Sequence, residues 1–572
     1  MTNLFPFGLS LEANMNWGDL IKSVKEQLRA VPEKGMGYGL LRYLHPETSV
    51  NTALATNDWD MVFNYLGQID NIIDESSWFT PASEAIGRSK GALYPFDSKL
   101  MVDGFVVGQQ LTFSWSYSTR QYHDATIEQL AQQYLDQLTA LVEHCMAQTE
   151  VAYTPSDYDL PASVDYQDLT AFLNEVQDNG QTRQANLQDL YRLSPMQEGI
   201  LFHSLYNETS SAYTEQFTFD FPEGVGLTAF ESSWKYIVEN HDILRTSFYY
   251  EELSVPVQVV NKKARLPIKV LDYVHYSEQE QEQAVAAFIE ADRQKGFDFS
   301  NPPLMRIHLL KLSPYSYKMV WTFHHILLDG WSTSVLMGEL LTVYEKLESG
   351  TVKFSTKADH YGDYIKYINA ADAYAEEQFW TNYLAGFSSP SLLPFVGNVL
   401  DRNKGGATSK EVHLNFSEEQ TSRVKAFAKA HQLTVNTVIQ GVWSLLLSRY
   451  TGNKDTVFGV TVSGRPTDLA SAEYGIGLYI NTLAVRSQIA EEQSVVDWLN
   501  QLQKGHTEAR EYQYSTLNNV QNWAGINGDF FDSILVFENY PMGELLSRDW
   551  KLKVENINIK EQTNYLLSII VN

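Results

Sequence analysis

Residues 323–332 read FHHILLDGWS. The stretch closes a β-type run, YKMVWTFHHIL, along which side chains alternate between the two faces of a strand. Met319, Trp321, Phe323 and His325 fall on one face, and Val320, Thr322 and His324 on the other. Two histidines pointing apart cannot chelate one ion. The chain has neither an HExxH pattern nor a pair of cysteines, so no metal centre is expected. After Asp329-Gly330, WSTSVLMGELLTVYEKLESG has the spacing of an amphipathic helix closed by Gly350, with Asp329 or Ser332 as N-cap. The histidines therefore sit on a strand–loop–helix corner, where Gly330 permits close backbone approach or an unusual dihedral. A neutral imidazole is the side chain best suited to take a proton near pH 7. On the residues alone two readings stay open: a catalytic histidine with its support, or satisfied core histidines beside a helix cap.

The rest of the chain sets the frame. Its 572 residues suggest about three or four folding units, and 44% hydrophobic with 13% aromatic residues supply globular cores. A net charge of −28 opposes a nucleic-acid or anionic-membrane surface. Cys145 is the single cysteine, so no disulfide can form within the chain, and a reducing cytoplasm is the expected location. No stretch approaches the length of a membrane-spanning helix.

Two regions resemble each other. WGDLIKSVKEQLRAVPEKGMGYGLLRYL leads to the β-prone MVFNYLGQ; VVDWLNQLQKGHTEAREYQYSTLNNVQ leads to SILVFENYP. Each runs from an amphipathic helix through a Tyr-rich stretch to a strand ending in Asn-Tyr, the pattern of two homologous lobes. The first copy continues through FVVGQQLTFSWSYS and the helical DATIEQLAQQYLDQLTALVEHC, whereas the second stops at TNYLLSIIVN. An incomplete last lobe with open apolar surface, aggregation-prone and weakly active alone, is the expectation. Between the copies, residues 151–187 are polar and rich in Pro, Asp and Gln, and read as a linker. From residue 188 strand and helix signals alternate, an α/β pattern.

HHILLDG (324–330) matches HHxxxDG, the signature of the condensation-domain superfamily of nonribosomal peptide synthetases, shared with chloramphenicol acetyltransferase and dihydrolipoyl acyltransferases. LSPMQEGILFHSL (193–205), NHDILRTSF (240–248), FGVTVSGRP (458–466), GLYINTLAVR (477–486), REYQYSTLNNVQ (510–521) and VFENYP (536–541) resemble further condensation motifs in the expected order. PEKGMGYGLLRYL (32–44) and FNYLGQ (63–68) resemble the last two motifs of an epimerization domain, whose histidine and glutamate motifs are not in the chain.

The resemblance implies a chloramphenicol-acetyltransferase-like two-lobed condensation fold preceded by one extra lobe of the same superfamily. Residues 1–150 would be the C-terminal lobe of an epimerization domain without epimerase activity, 151–187 a linker, 188–365 the N-terminal condensation lobe and 366–572 its C-terminal, incomplete partner. It assigns the catalytic step to His325 and support to His324, Asp329 and Gly330. It also implies a structural ion pair between Asp329 and Arg465, with Arg245 as second choice. The order of domains and the form of SPMQEGILFH resemble the subtype joining a D-configured donor to an L-amino-acid acceptor. Both substrates would arrive on the 4'-phosphopantetheine arms of upstream and downstream carrier domains, with neighbouring synthetase domains as partners and no cofactor bound by this chain. The alternatives are a noncatalytic fragment acting in carrier docking, and an acyltransferase using coenzyme A.

Overall fold

The computed structural model describes residues 4–55, 59–68, 99–178, 180–206, 213–350, 360–394, 410–469, 472–526, 528–538, 543, 545, 547–561, 563 and 565–571. The last three residues of VFENYP lie outside these. Contacts divide the chain into two compact units, Met1–Asp157 with Asp165–Thr170, and Tyr158–Val164 with Ala171–Asn572.

The first unit opens with the helix Trp17–Arg29, whose N-cap Asn16 accepts the Asp19 N–H at 2.9 Å. A 3-10 turn, Pro32–Gly35, and the helix Met36–Leu44 follow. Gly35 has a φ of 80°, and a Cβ there would lie 2.2 Å from the Phe5 ring, so PEKGMGYG needs its glycine at this point. Strand β1 (Met61–Gln68) pairs parallel with β2 (Leu100–Val107), which pairs antiparallel with β3 (Gln110–Tyr117). The helix Asp124–Ala147 adds Ile127 to a small core with Leu100 and Val102.

Residues 151–187 are more than a polar tether. They hold the 3-10 turn Pro155–Tyr158 and the helices Tyr166–Asn174 and Arg183–Asn186. Tyr158, Leu160, Val164, Leu169, Phe172 and Leu173 are buried, so apolar side chains are spread through a segment whose composition reads as polar. The Arg183 guanidinium lies 3.8 Å from the Phe172 ring centre and 2.6 Å from Glu175.

The second unit contains β4 (Leu187–Arg192), β5 (Thr214–Phe221), β6 (Thr246–Tyr249), β7 (Val257–Asn261), β8 (Ile268–Asp272), β9 (Met305–Lys311), β10 (Tyr317–His324), β11 (Asp455–Val462), β12 (Asn481–Gln488), β13 (Ser533–Phe537), β14 (Glu555–Lys560) and β15 (Leu567–Val571). They form sheets ordered β4-β7-β6, β14-β5-β10-β9-β8 and β12-β11-β13-β15. The alternation along β10 is as its sequence dictates, but both faces are covered. Met319, Trp321 and Phe323 enter an aromatic core with Phe217 and Trp234. Full burial of such side chains contributes roughly 1.5–3 kcal/mol each. On the other face Thr322 donates to Asp292, which also pairs with Arg306 at 2.8 Å.

The boundary expected at 365/366 is crossed. Strand β14, from the C-terminal region, pairs antiparallel with β5 and so closes an edge of the sheet that carries β10. Helix Tyr361–Asn369 sends Tyr361 and Tyr364 hydroxyls to the carbonyls of Leu478 and Tyr479. The duplication is visible in the topology: helix Val495–Arg510 leads to β13, which pairs parallel with β15, as helix Trp17–Arg29 leads to β1 and its parallel partner β2.

Candidate active site

Strand β10 ends at His324, three residues before the end of the β-type run YKMVWTFHHIL. The ladder to β5 nevertheless runs one step further, because the His325 N–H donates to the Tyr213 carbonyl at 2.8 Å. Tyr213 has a φ of 65°, a left-handed conformation that costs a non-glycine residue roughly 1–3 kcal/mol and is held by its surroundings. The chain then turns, with Leu327 N–H on the His324 carbonyl and Leu328 N–H on the His325 carbonyl.

The two imidazoles present different nitrogens as donors: Nε2 in His324 and Nδ1 in His325. His324 is 4% exposed; its Nδ1 accepts the Ile326 N–H at 3.2 Å, so Nε2 carries the proton and faces Ser204 Oγ at 3.3 Å. Burial first, and the neighbouring His325 second, push its pKa down to about 3, so it is neutral. His325 Nδ1 faces two acceptors, the Leu328 carbonyl at 2.8 Å and a Glu215 carboxylate oxygen at 2.9 Å. Two acceptors require a proton on Nδ1, so Nε2 is the nitrogen that accepts once the ring is neutral; Nε2 has no hydrogen-bond partner among the described residues. The side chain is 17% exposed, so the ring edge is not sealed in the core.

Replacing His324 by alanine removes two buried hydrogen bonds and opens a cavity. A loss of about 2 kcal/mol in stability is expected, with the rate per folded molecule retained, as checked by melting curves beside single-turnover rates.

Asp329 caps the helix Gly330–Glu348, accepting the Ser332 N–H at 2.7 Å. Its second oxygen accepts the Tyr479 N–H at 3.0 Å, and Arg465 Nη2 lies 3.1 Å from the first. Arg465 also donates to Ser332 Oγ at 2.7 Å and the Gly475 carbonyl at 2.9 Å, and its guanidinium lies 4.0 Å from the Tyr479 ring centre. Arg245, the second-choice partner, is engaged elsewhere: it pairs with Asp242 at 2.7 Å. Gly330 supplies no unusual dihedral. It is the first helical residue, outside the positive-φ set, and its carbonyl accepts the hydroxyls of Thr333 and Ser334. The glycine that the corner needs is Gly464, with a φ of 59° and a would-be Cβ 1.9 Å from the Tyr479 carbonyl; only glycine lets Arg465 come this close.

Three contributors carried no assigned role in the sequence. Gln197, within SPMQEG, donates to the Ile326 carbonyl at 3.3 Å, beside the histidines. Tyr213 and Glu215 lie in AYTEQFTFDF, where an acid at a core-facing position is a signal the sequence did contain. Among the described residues no group of three or more His, Cys, Asp or Glu is placed to hold a metal ion. No described helix is long and apolar enough to cross a membrane.

An α/β unit whose central strand ends in HHxxxDG, with the aspartate tied to an arginine in the loop that follows a strand of another sheet, has the build of a condensation fold. The condensation domain family matches residues 1–168 and 187–572, and the chain belongs to that family, with two repeats of its fold. A linear gramicidin synthase of Brevibacillus parabrevis is 38% identical over 576 residues, covering 100% of this chain and 7% of that protein. Bacitracin synthase 3 of Bacillus licheniformis is 33% identical over 577 residues, covering 100% and 9%. The chain thus spans under a tenth of the length of either relative. Among solved structures, the X-domain from teicoplanin biosynthesis has a TM-score of 0.56 at 18% identity, covering 66% of this chain and 84% of that one. The first condensation domain of the calcium-dependent antibiotic synthetase has a TM-score of 0.52 at 17% identity, covering 67% and 87%. At such identities the likeness establishes the fold alone.

Proposed function

We propose that this chain forms a peptide bond in nonribosomal peptide synthesis. The amine of a carrier-bound aminoacyl group attacks an upstream carrier-bound peptidyl or aminoacyl thioester at the site built on His325. The single observation that carries this reading is the His325 ring itself, with Nδ1 turned to two acceptors and Nε2 left to take a proton. The substrates would be presented on 4'-phosphopantetheine arms by separate carrier domains, in the cytoplasm. Asp329 and Arg465 hold the corner and touch no substrate.

The donor side is read from the first repeat. PEKGMGYGLLRYL and FNYLGQ resemble the end of an epimerization domain. The condensation unit that follows that repeat would take a D-configured donor and an L-configured acceptor. The test supplies the chain with donor carriers loaded with D- or L-aminoacyl groups and an L-loaded acceptor carrier. Product from the D donor, at least tenfold faster than from the L donor, is expected. Equal rates overturn the donor assignment; no product from either donor overturns the condensation reading.

A further inference from the structure

On β5 the residues facing the aromatic core are Glu215, Phe217, Phe219 and Phe221, opposite Phe323, Trp321 and Met319 of β10. Three of the four are core aromatics; the first is an acid, 5% exposed. An ionised carboxylate at such a position is costly unless a cation or donor meets it. Among the described residues the ion pair of Glu215 is with Nδ1 of His325, at 2.9 Å. Its backbone is placed by the left-handed Tyr213 two residues earlier, whose carbonyl receives the His325 N–H. Carboxylate and imidazole are thus fixed by one ladder.

Resting on the condensation reading above, we propose that Glu215 is a positioning residue for His325: it holds the proton on Nδ1, fixing the tautomer whose Nε2 accepts the proton of the attacking amine, and stabilises the imidazolium so formed. The neutral acceptor amine forms its C–N bond to the thioester carbonyl carbon, and Nε2 removes one proton from the nitrogen. The tetrahedral intermediate then expels the thiolate, which receives that proton from Nε2, giving amide and free thiol with His325 neutral again. The Leu328 carbonyl could hold the tautomer alone; only the carboxylate answers the positive charge.

The charges around the ring give this role a pH signature. Burial works against a charged His325, but Glu215 by charge and contact, then Glu561 and the Leu328 carbonyl, outweigh it and hold the imidazole up to about 9. Further charged groups face the pair. Glu561, just past β14, is lifted to about 8 by burial and by Glu215 and Glu538, with Glu411 adding to the repulsion. Glu538, just past β13, is raised by burial and by Glu215; His324 is neutral. The resting imidazole is therefore protonated at neutral pH, and the proton-accepting form grows as pH rises toward 9. Removing the Glu215 charge brings that midpoint down.

The experiment follows single-turnover condensation with loaded carriers from pH 6 to 10, for the chain as it is and for Glu215→Gln. In parallel, the His325 ring is titrated by NMR in the 15N-histidine-labelled chain, its resonance identified by His325→Gln. The expected wild-type rate climbs with a midpoint near 9, and Glu215→Gln shifts both midpoint and ring titration down by at least about one pH unit while lowering the plateau about tenfold or more. A lower plateau with an unmoved midpoint overturns the proposal, as does a rate that falls through pH 9. Should Glu215→Gln not fold, the wild-type ring decides: a titration midpoint near that of free imidazole, or a proton on Nε2 in the neutral ring, overturns it. The NMR arm stands without turnover, so a chain that forms no product yet shows the shifted ring refutes the condensation reading and leaves the His325–Glu215 coupling intact.

Discussion

Replacing His325 by alanine is expected to lower the rate of condensation between loaded carriers by about three orders of magnitude. The figure follows from the proton inventory of the reaction. A thioester is already activated, and tethering both substrates supplies much of the acceleration by proximity, which the substitution leaves in place. On the proposed mechanism, what is lost is the group that takes the amine proton and returns it to the leaving thiolate, a contribution of typically 10²–10⁴-fold. Alanine also leaves Glu215 and the Leu328 carbonyl without their shared donor, so a fall in stability could mimic a fall in rate. His325→Asn separates the two, since its amide N–H can face the same acceptors while offering no basic nitrogen. Equal rate losses in both variants, measured per folded molecule under single turnover, are the expected result. Full activity in His325→Asn would show that the side chain only fills and orients the corner.

The sequence carried the position of this site better than its electrostatics. Alternation along YKMVWTFHHIL placed His324 and His325 on opposite sides, and the strand does run to His324. Asp329 and Arg465 do meet, but over a sequence separation that no local pattern encodes. Arg245 has a similar motif context, yet three residues before it stands Asp242, within one turn, which takes the arginine locally. Gly330 looked like a backbone device because Asp-Gly usually is one; here Asp329 is the cap, and a residue directly after a cap is ordinary helix. The crossing of β14 to β5 was invisible because ENINIK reads as a strand without naming its neighbour. Glu215 was legible in principle, since one acid interrupts a period-two apolar stripe. Its meaning appears only when the stripe is set beside β10.

Substituting Asp329 by asparagine is expected to destabilise the second unit by about 3–5 kcal/mol, the range for removing one member of a buried ion pair. The carboxylate is 1% exposed and is shared by three donors from two regions: the Ser332 N–H of its own helix, the Tyr479 N–H and the Arg465 guanidinium. An asparagine oxygen can keep one or two of these. It cannot answer the charge on Arg465, whose side chain is 10% exposed and lies against the Tyr479 ring. Since a typical domain is stable by ~5–15 kcal/mol, the loss would remove a large part of the margin. Carrying Asp329→Asn together with Arg465→Met tests where the cost arises. If the penalty is the orphaned charge, the double variant is more stable than the sum of the singles predicts, with a coupling of about 1–3 kcal/mol in denaturant midpoints converted to free energy. On the proposed reading, in which neither side chain meets the reacting atoms, the rate should follow the folded fraction in every variant. An unchanged midpoint in Asp329→Asn would show that the helix cap and backbone hold the histidine corner without the ion pair.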